Sequence, residues 1–101
     1  MMRTICKGLA INRDSRRIFI NGHIVDLPEL EFRLMDELCR RPGRVVPVID
    51  MVLKIYPDNS VWVTREAPPR LKQLVYRLRN RIGFGWVVSV SGRGYRLGVD
   101  L

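Results

Sequence analysis

The chain has little of what enzymes and secreted folds are built from. Two cysteines, Cys6 and Cys39, and one histidine, His23, are all it carries. No Cys/His spacing of a zinc site and no acidic cluster near His23 provide a metal centre. A glycine-rich phosphate loop opening a helix is also missing, so neither a cofactor nor an active site is expected. Aromatic residues are only 8% of the chain and form no stacking platform for single-stranded RNA. No apolar run approaches the length of a membrane span, and Met1 to Lys7 is too short and too polar for an export signal. The default expectation is a reduced, cytoplasmic protein that acts on the nucleoid, with Cys39 a small buried hydrophobe and His23 an exposed turn residue.

Acid is scarce in one part of the chain. Residues 65–101 hold eight Lys/Arg against two acids, whereas residues 1–64 hold ten against eight, so most of the net charge of +8 lies in the C-terminal third. Such concentration favours a polyanionic partner. At 101 residues with 47% apolar content, one globular domain spanning 1–101 is expected.

Within the basic third, Pro69 to Ile82 reads PRLKQLVYRLRNRI. Leu71, Leu74, Val75, Leu78 and Ile82 fall in one narrow helical stripe. On the opposite side Gln73, Tyr76 and Asn80 lie near the centre with Arg77 beside them. Lys72 and Arg79 flank that face on one edge, Arg70 and Arg81 on the other. Hydrogen-bonding groups along the middle and cations along both edges suit a helix entering a DNA major groove. The apolar stripe holds no Trp or Phe, which disfavours a membrane surface as partner.

Upstream, short strands are expected at 9–12, 16–21 and 23–27, the last two joined by Asn21-Gly22, a strong hairpin signal. Asp26-Leu27-Pro28-Glu29 fits a capping box, which predicts a helix from about Leu27 to Arg40 or Arg41 that buries Leu30, Phe32, Leu34, Met35, Leu38 and Cys39. Glu29, Glu31, Asp36 and Glu37 read as its solvated face, and Arg40 and Arg41 as compensation of its negative end. A second helix is expected from Pro47 to Tyr56, burying Ile49, Val52, Leu53 and Tyr56. Residues 57–68 then form a long loop, in which Trp62 either packs on the core or faces a partner. The two prolines at 68 and 69 predict that the third helix starts at Pro69 and no earlier. After Gly83-Phe84-Gly85, residues 86–98 alternate as a hairpin around Ser91-Gly92-Arg93-Gly94.

The segments LEFRLMDELCRRPGRVV at 30–46, RLRNRIG at 77–83 and SGRGYRLG at 91–98, in this order, resemble the OmpR/PhoB-type winged-helix effector domain over nearly the whole chain. The resemblance implies an α+β winged helix-turn-helix: a four-stranded N-terminal antiparallel sheet, three helices and a C-terminal hairpin wing. It implies a transcription regulator that binds double-stranded DNA, with the third helix in the major groove, the wing at the minor groove and tandem self-association on direct repeats. Family base-reading positions fall on Lys72 and Arg77, with Arg70 near the groove edge; the helical wheel reaches Arg77 independently and adds Gln73. Tyr76 and Arg79 match phosphate-contacting positions, which Asn80 and Arg81 extend. In the wing, Ser91 stands where the family often carries arginine, and Arg93, with Arg96, takes over that contact.

The loop before the third helix, with Asp58, Asn59, Trp62 and Arg65, is implied to face RNA polymerase, and a protein-interaction winged helix acting through that loop is the competing function. The family usually has a receiver domain upstream. Met1 precedes the first strand by a few residues, so the chain is expected to be a stand-alone regulator, with an excised fragment as the other reading.

Overall fold

The computed structural model describes residues 2–56 and 67–98. Four strands, β1 (Met2–Cys6), β2 (Leu9–Asn12), β3 (Arg17–Ile20) and β4 (His23–Asp26), form an antiparallel meander in the order β1-β2-β3-β4. Asn21 and Gly22 turn the chain between paired Ile20 and His23 with φ of 51° and 82°, the left-handed pair that a type I′ turn needs. Strand β1 is an element that the residue pattern does not announce and only the family resemblance implied. Its single neighbour is β2, and a bulge interrupts the register between Thr4 and Cys6. Inward-facing Leu9, Ile11 and Ile18 seal one sheet face onto the core.

Helix α1 (Glu29–Arg40) starts later than the capping box predicted. Pro28 holds the cap position with no side-chain cap bond, and Phe32 N–H donates to the Pro28 carbonyl. Asp26 is spent elsewhere: it lies opposite Arg17 in the β3–β4 ladder and accepts from Arg17 Nε at 2.8 Å. Asp26 ends β4, two residues before the cap position at Pro28. Phe32, Leu34, Met35, Leu38 and Cys39 are buried as expected, Leu30 only partly. Glu31 departs from the solvated-face reading, because it is buried at 3% exposure.

Strand β5 (Val46–Pro47) leads directly into α2 (Val48–Ile55). The expected buried stripe was 49/52/53/56. In fact Met51, Val52 and Ile55 are buried, Ile49 and Leu53 are exposed, and Tyr56 is half-buried. This helix is apolar nearly all round, so two stripes satisfy the helical period equally. Pairing of Val46 and Pro47 with Tyr95 and Gly94 pins its entry and decides the phase.

Helix α3 (Ala67–Ile82) begins two residues before the expected start. Both prolines fall in its first turn, where no N–H is required of them, and this outweighs the bias that proline places on its predecessor. Leu71, Leu74, Val75, Leu78 and Ile82 are all buried, and Gly83, at φ 97°, ends the helix by donating to the Arg79 carbonyl. Strands β6 (Val87–Val90) and β7 (Gly94–Leu97) then form the hairpin, which joins β5 in a sheet of order β5-β7-β6. The helices pack on one another between the two sheets, with Val87, Tyr95 and Leu97 closing the core from the hairpin side. Among the described residues, no helix is long and apolar enough to cross a membrane. Asp58, Asn59, Trp62 and Arg65 lie outside the described residues.

Candidate nucleic-acid interface

Because α3 buries its narrow stripe completely, everything opposite it is forced into solvent. Lys72, Gln73, Arg77 and Asn80 are exposed, and Tyr76 is 61% exposed. Lys72, Gln73, Tyr76 and Arg77 line one open depression of about 450 Å³. Arg70 is exposed one turn earlier. The half-buried Tyr56 sits within the fields of Arg70 and Arg77: burial raises its phenol above the ordinary value, and the two cations pull it back. Sequence reasoning placed Tyr56 in the core of α2 and missed this neighbourhood.

The wing stands beside this face. Ser91, Gly92 and Arg93 are its exposed tip, and Arg93 N–H donates to the Val90 carbonyl to close the turn. A groove of about 470 Å³ runs between the start of α2, Lys72 and the wing from Ser89 to Tyr95. Arg96 is partly buried in β7 and its Nη1 donates to the Leu97 carbonyl at 3.3 Å, so it lies back from the tip.

Charge is partitioned across the molecule. Arginines occupy the acids of the N-terminal half: Arg13 and Arg40 hold Asp36 at 2.6 and 3.3 Å, Arg16 and Arg33 hold Glu29 at 2.9 and 3.0 Å, and Arg17 holds Asp26. Lys72, Arg77 and Arg93 make no ion pair among the described residues. Among the described residues, Lys72 and Arg77 on α3 and Arg93 on the wing are thus exposed cations that no acid neutralises. Exposed cations that the protein leaves unpaired are the ones a polyanion can use at least desolvation cost.

Two further arginines of α3 are engaged by groups of the protein itself. Arg81 Nε donates to the buried Glu31 Oε1 at 2.8 Å, which ties the end of α3 to the start of α1. Arg79 donates from Nε and Nη2 to the Val87 carbonyl at 3.1 and 2.8 Å, and from Nη2 to Ser89 Oγ at 3.0 Å. It also lies near Tyr95, whose phenol is raised by burial and lowered by this cation. Neither role is visible in a helical wheel, which sees only one helix at a time. Arg33 is another residue that sequence reasoning passed over: its Nη1 reaches the Ile55 carbonyl at 3.0 Å and satisfies the end of α2 from α1. Cys39 is buried beside Asp36, and desolvation pushes its thiol up to about 12.

No protein-family model matches the chain. Over 89 residues it is 29% identical to the transcriptional regulatory protein PhoP of Escherichia coli K12, an alignment that covers 84% of this chain and 38% of PhoP. The chain therefore spans well under half of the curated relatives it matches. The DNA-binding domain of Bacillus subtilis CssR superposes with a TM-score of 0.71 at 27% identity, covering 88% of this chain and 98% of that one. Klebsiella pneumoniae RstA, solved as its DNA-binding domain in complex with the RstA box, superposes with a TM-score of 0.77 at 18% identity over 95% of each chain. In sequence this chain is similar to the transcriptional regulatory protein PhoP and to the DNA-binding domain of CssR, and its fold is the OmpR/PhoB-type winged helix.

Proposed function

We propose that the chain is a sequence-specific, double-stranded DNA-binding transcription regulator. In this reading α3 lies in the major groove with Lys72, Gln73 and Arg77 at base edges, Arg70 at the groove margin, and Tyr76 and Asn80 at phosphates. The wing brings Arg93 to the adjacent minor groove, and two copies sit side by side on direct repeats. The observation that carries it is that Lys72 and Arg77 on one face of α3 and Arg93 at the wing tip are exposed and make no ion pair among the described residues, while Arg13, Arg16, Arg17, Arg33, Arg40 and Arg81 are engaged by acids. The likeness to PhoP, named a transcriptional regulator, and to RstA, solved on its DNA box, supports the same reading.

Selection of bound duplexes from a random DNA pool at near-physiological salt tests it. An enriched motif is expected, repeated at a centre spacing of about 10–10.5 base pairs. Arg77→Ala should cost about 1–3 kcal/mol on that motif and relax discrimination at one base position. If every cation of this face, Arg70, Lys72, Arg77, Arg93 and Arg96, displaces one phosphate counterion, whichever group of the duplex it touches, the slope of log K against log salt is about −4.5. A pool that shows no enrichment, with binding that disappears as salt rises, refutes the proposal and transfers the function to a protein partner such as RNA polymerase.

A further inference from the structure

The hairpin that forms the wing is held unevenly. Strand β7 has neighbours on both sides, β5 and β6, whereas β6 is an edge strand with β7 alone beside it. The Gly98 N–H donates to the Trp86 carbonyl, so the ladder alternation turns the carbonyl of the next residue, Val87, away from β7 to the open edge. An edge carbonyl ordinarily goes to water. Here the Arg79 guanidinium takes it, with two donors on the one oxygen, and a third bond from Nη2 reaches Ser89 two residues along the same strand. The guanidinium sets two donors on one oxygen and carries Nη2 on to Ser89; a lysine ammonium, one bond shorter than Nη2, lacks both the second donor nitrogen and that reach.

We propose that Arg79 is a positioning residue that fixes the wing against the recognition helix, and so sets the offset between Arg93 and the major-groove contacts of α3. The helix itself is anchored by its buried stripe and by Arg81 on Glu31, so it provides a rigid base for the strut. From that base Arg79 reaches the root of β6, and β6 leads straight into the tip at 91–93. Without the strut β7 stays seated on β5 while β6 loses the side-chain hydrogen bonds that hold its outer edge. Arg93 is then presented over a spread of positions, and minor-groove contact must pay for ordering the tip. These bonds use Nε and Nη2 and leave the two N–H donors of Nη1 out of the strut, so a phosphate contact from Nη1 is the competing role that the measurements below separate from positioning. The binding consequence rests on the DNA-binding reading above, but the strut does not.

Two readouts separate the ideas. In the free protein, amide hydrogen exchange over residues 88–93 should rise about tenfold or more in both Arg79→Ala and Arg79→Lys, with exchange in α1 unchanged, and Ser89→Ala should give a smaller rise. Unchanged exchange at the wing overturns the strut whatever the protein does with DNA. On the selected duplex, Arg79→Lys should bind as poorly as Arg79→Ala, on the order of tenfold below wild type, the size of a lost charge-assisted hydrogen bond. Both losses should largely vanish in an Arg93→Ala background, since a strut has nothing left to position. A lysine variant that binds like wild type, or losses that multiply with that of Arg93→Ala, would make Arg79 an independent phosphate contact instead. If wild-type protein selects no duplex at all, the DNA reading fails, and exchange alone decides the strut.

Discussion

Glu31 and Arg81 make an unequal pair, and the inequality predicts which partner the fold can lose. The carboxylate is almost wholly buried, with its side chain 4% exposed, while the Arg81 side chain is 48% exposed. They join α1 to α3 across 50 residues of sequence at 2.8 Å. Arg81→Ala leaves an acid in the core with its cation gone. Stranding a buried charge costs about 3–5 kcal/mol, which the half-exposed edge of this site reduces to roughly 2–3 kcal/mol. Glu31→Gln leaves an amide that still accepts from Arg81, and the guanidinium can turn to water, so the expected loss is about 1 kcal/mol.

For a domain of this size each kcal/mol moves the unfolding midpoint by about 4–8 °C, so Arg81→Ala should fall by roughly 10–20 °C and Glu31→Gln by less than half of that. Thermal unfolding followed by circular dichroism reads the difference, and urea titration with unchanged slope confirms that it is stability. Combining the two changes should recover part of the Arg81→Ala loss, because the stranded charge is removed. Equal losses, or a larger loss for Glu31→Gln, would refute the reasoning: the carboxylate would not depend on its partner.

Gly94→Ala should unseat the wing. A Cβ there would run into the Val46 carbonyl oxygen and lie 2.9 Å from Pro47 Cα, at φ +154°, so β5 must part from β7; a loss of about 2–4 kcal/mol and of duplex binding together is expected in denaturation and mobility-shift assays. Leu78→Ala removes a side chain with no exposure from the middle of the α3 stripe and should cost about 2–5 kcal/mol by urea unfolding. Cys39, with its thiol pushed up to about 12 by burial, should stay silent to a thiol reagent at pH 8 until the protein unfolds, whereas the partly exposed Cys6 reacts in the native state. Equal labelling rates for the two would contradict the placement of Cys39 in the core.

Much was legible in the residues wherever a short-range rule had a single solution. The α3 stripe at 71, 74, 75, 78 and 82 permits one buried face, and burial follows it without exception. Asn21-Gly22 permits a left-handed pair at little cost, and the chain turns there. Outward display of Lys72, Gln73, Tyr76 and Arg77 follows from the same periodicity, since a helix that buries one face must expose the other.

Tertiary structure decided whatever had two local solutions or depended on a distant partner. Two stripes of α2 were equally apolar, and a two-residue strand pairing with Tyr95 and Gly94 chose between them. Asp26 could have capped a helix or paired across a sheet, and Arg17 opposite it drew it to the sheet. Glu31 belongs by local pattern to a solvated face, yet a cation 50 residues away makes its burial tolerable. Composition and periodicity thus set how much charge α3 carries and which side of the helix shows it. Which arginines stay available to a polyanion, and which are spent at Val87, Ser89 and Glu31, depends on long-range contacts, because an arginine's partner is chosen by the space around its guanidinium rather than by its neighbours in sequence.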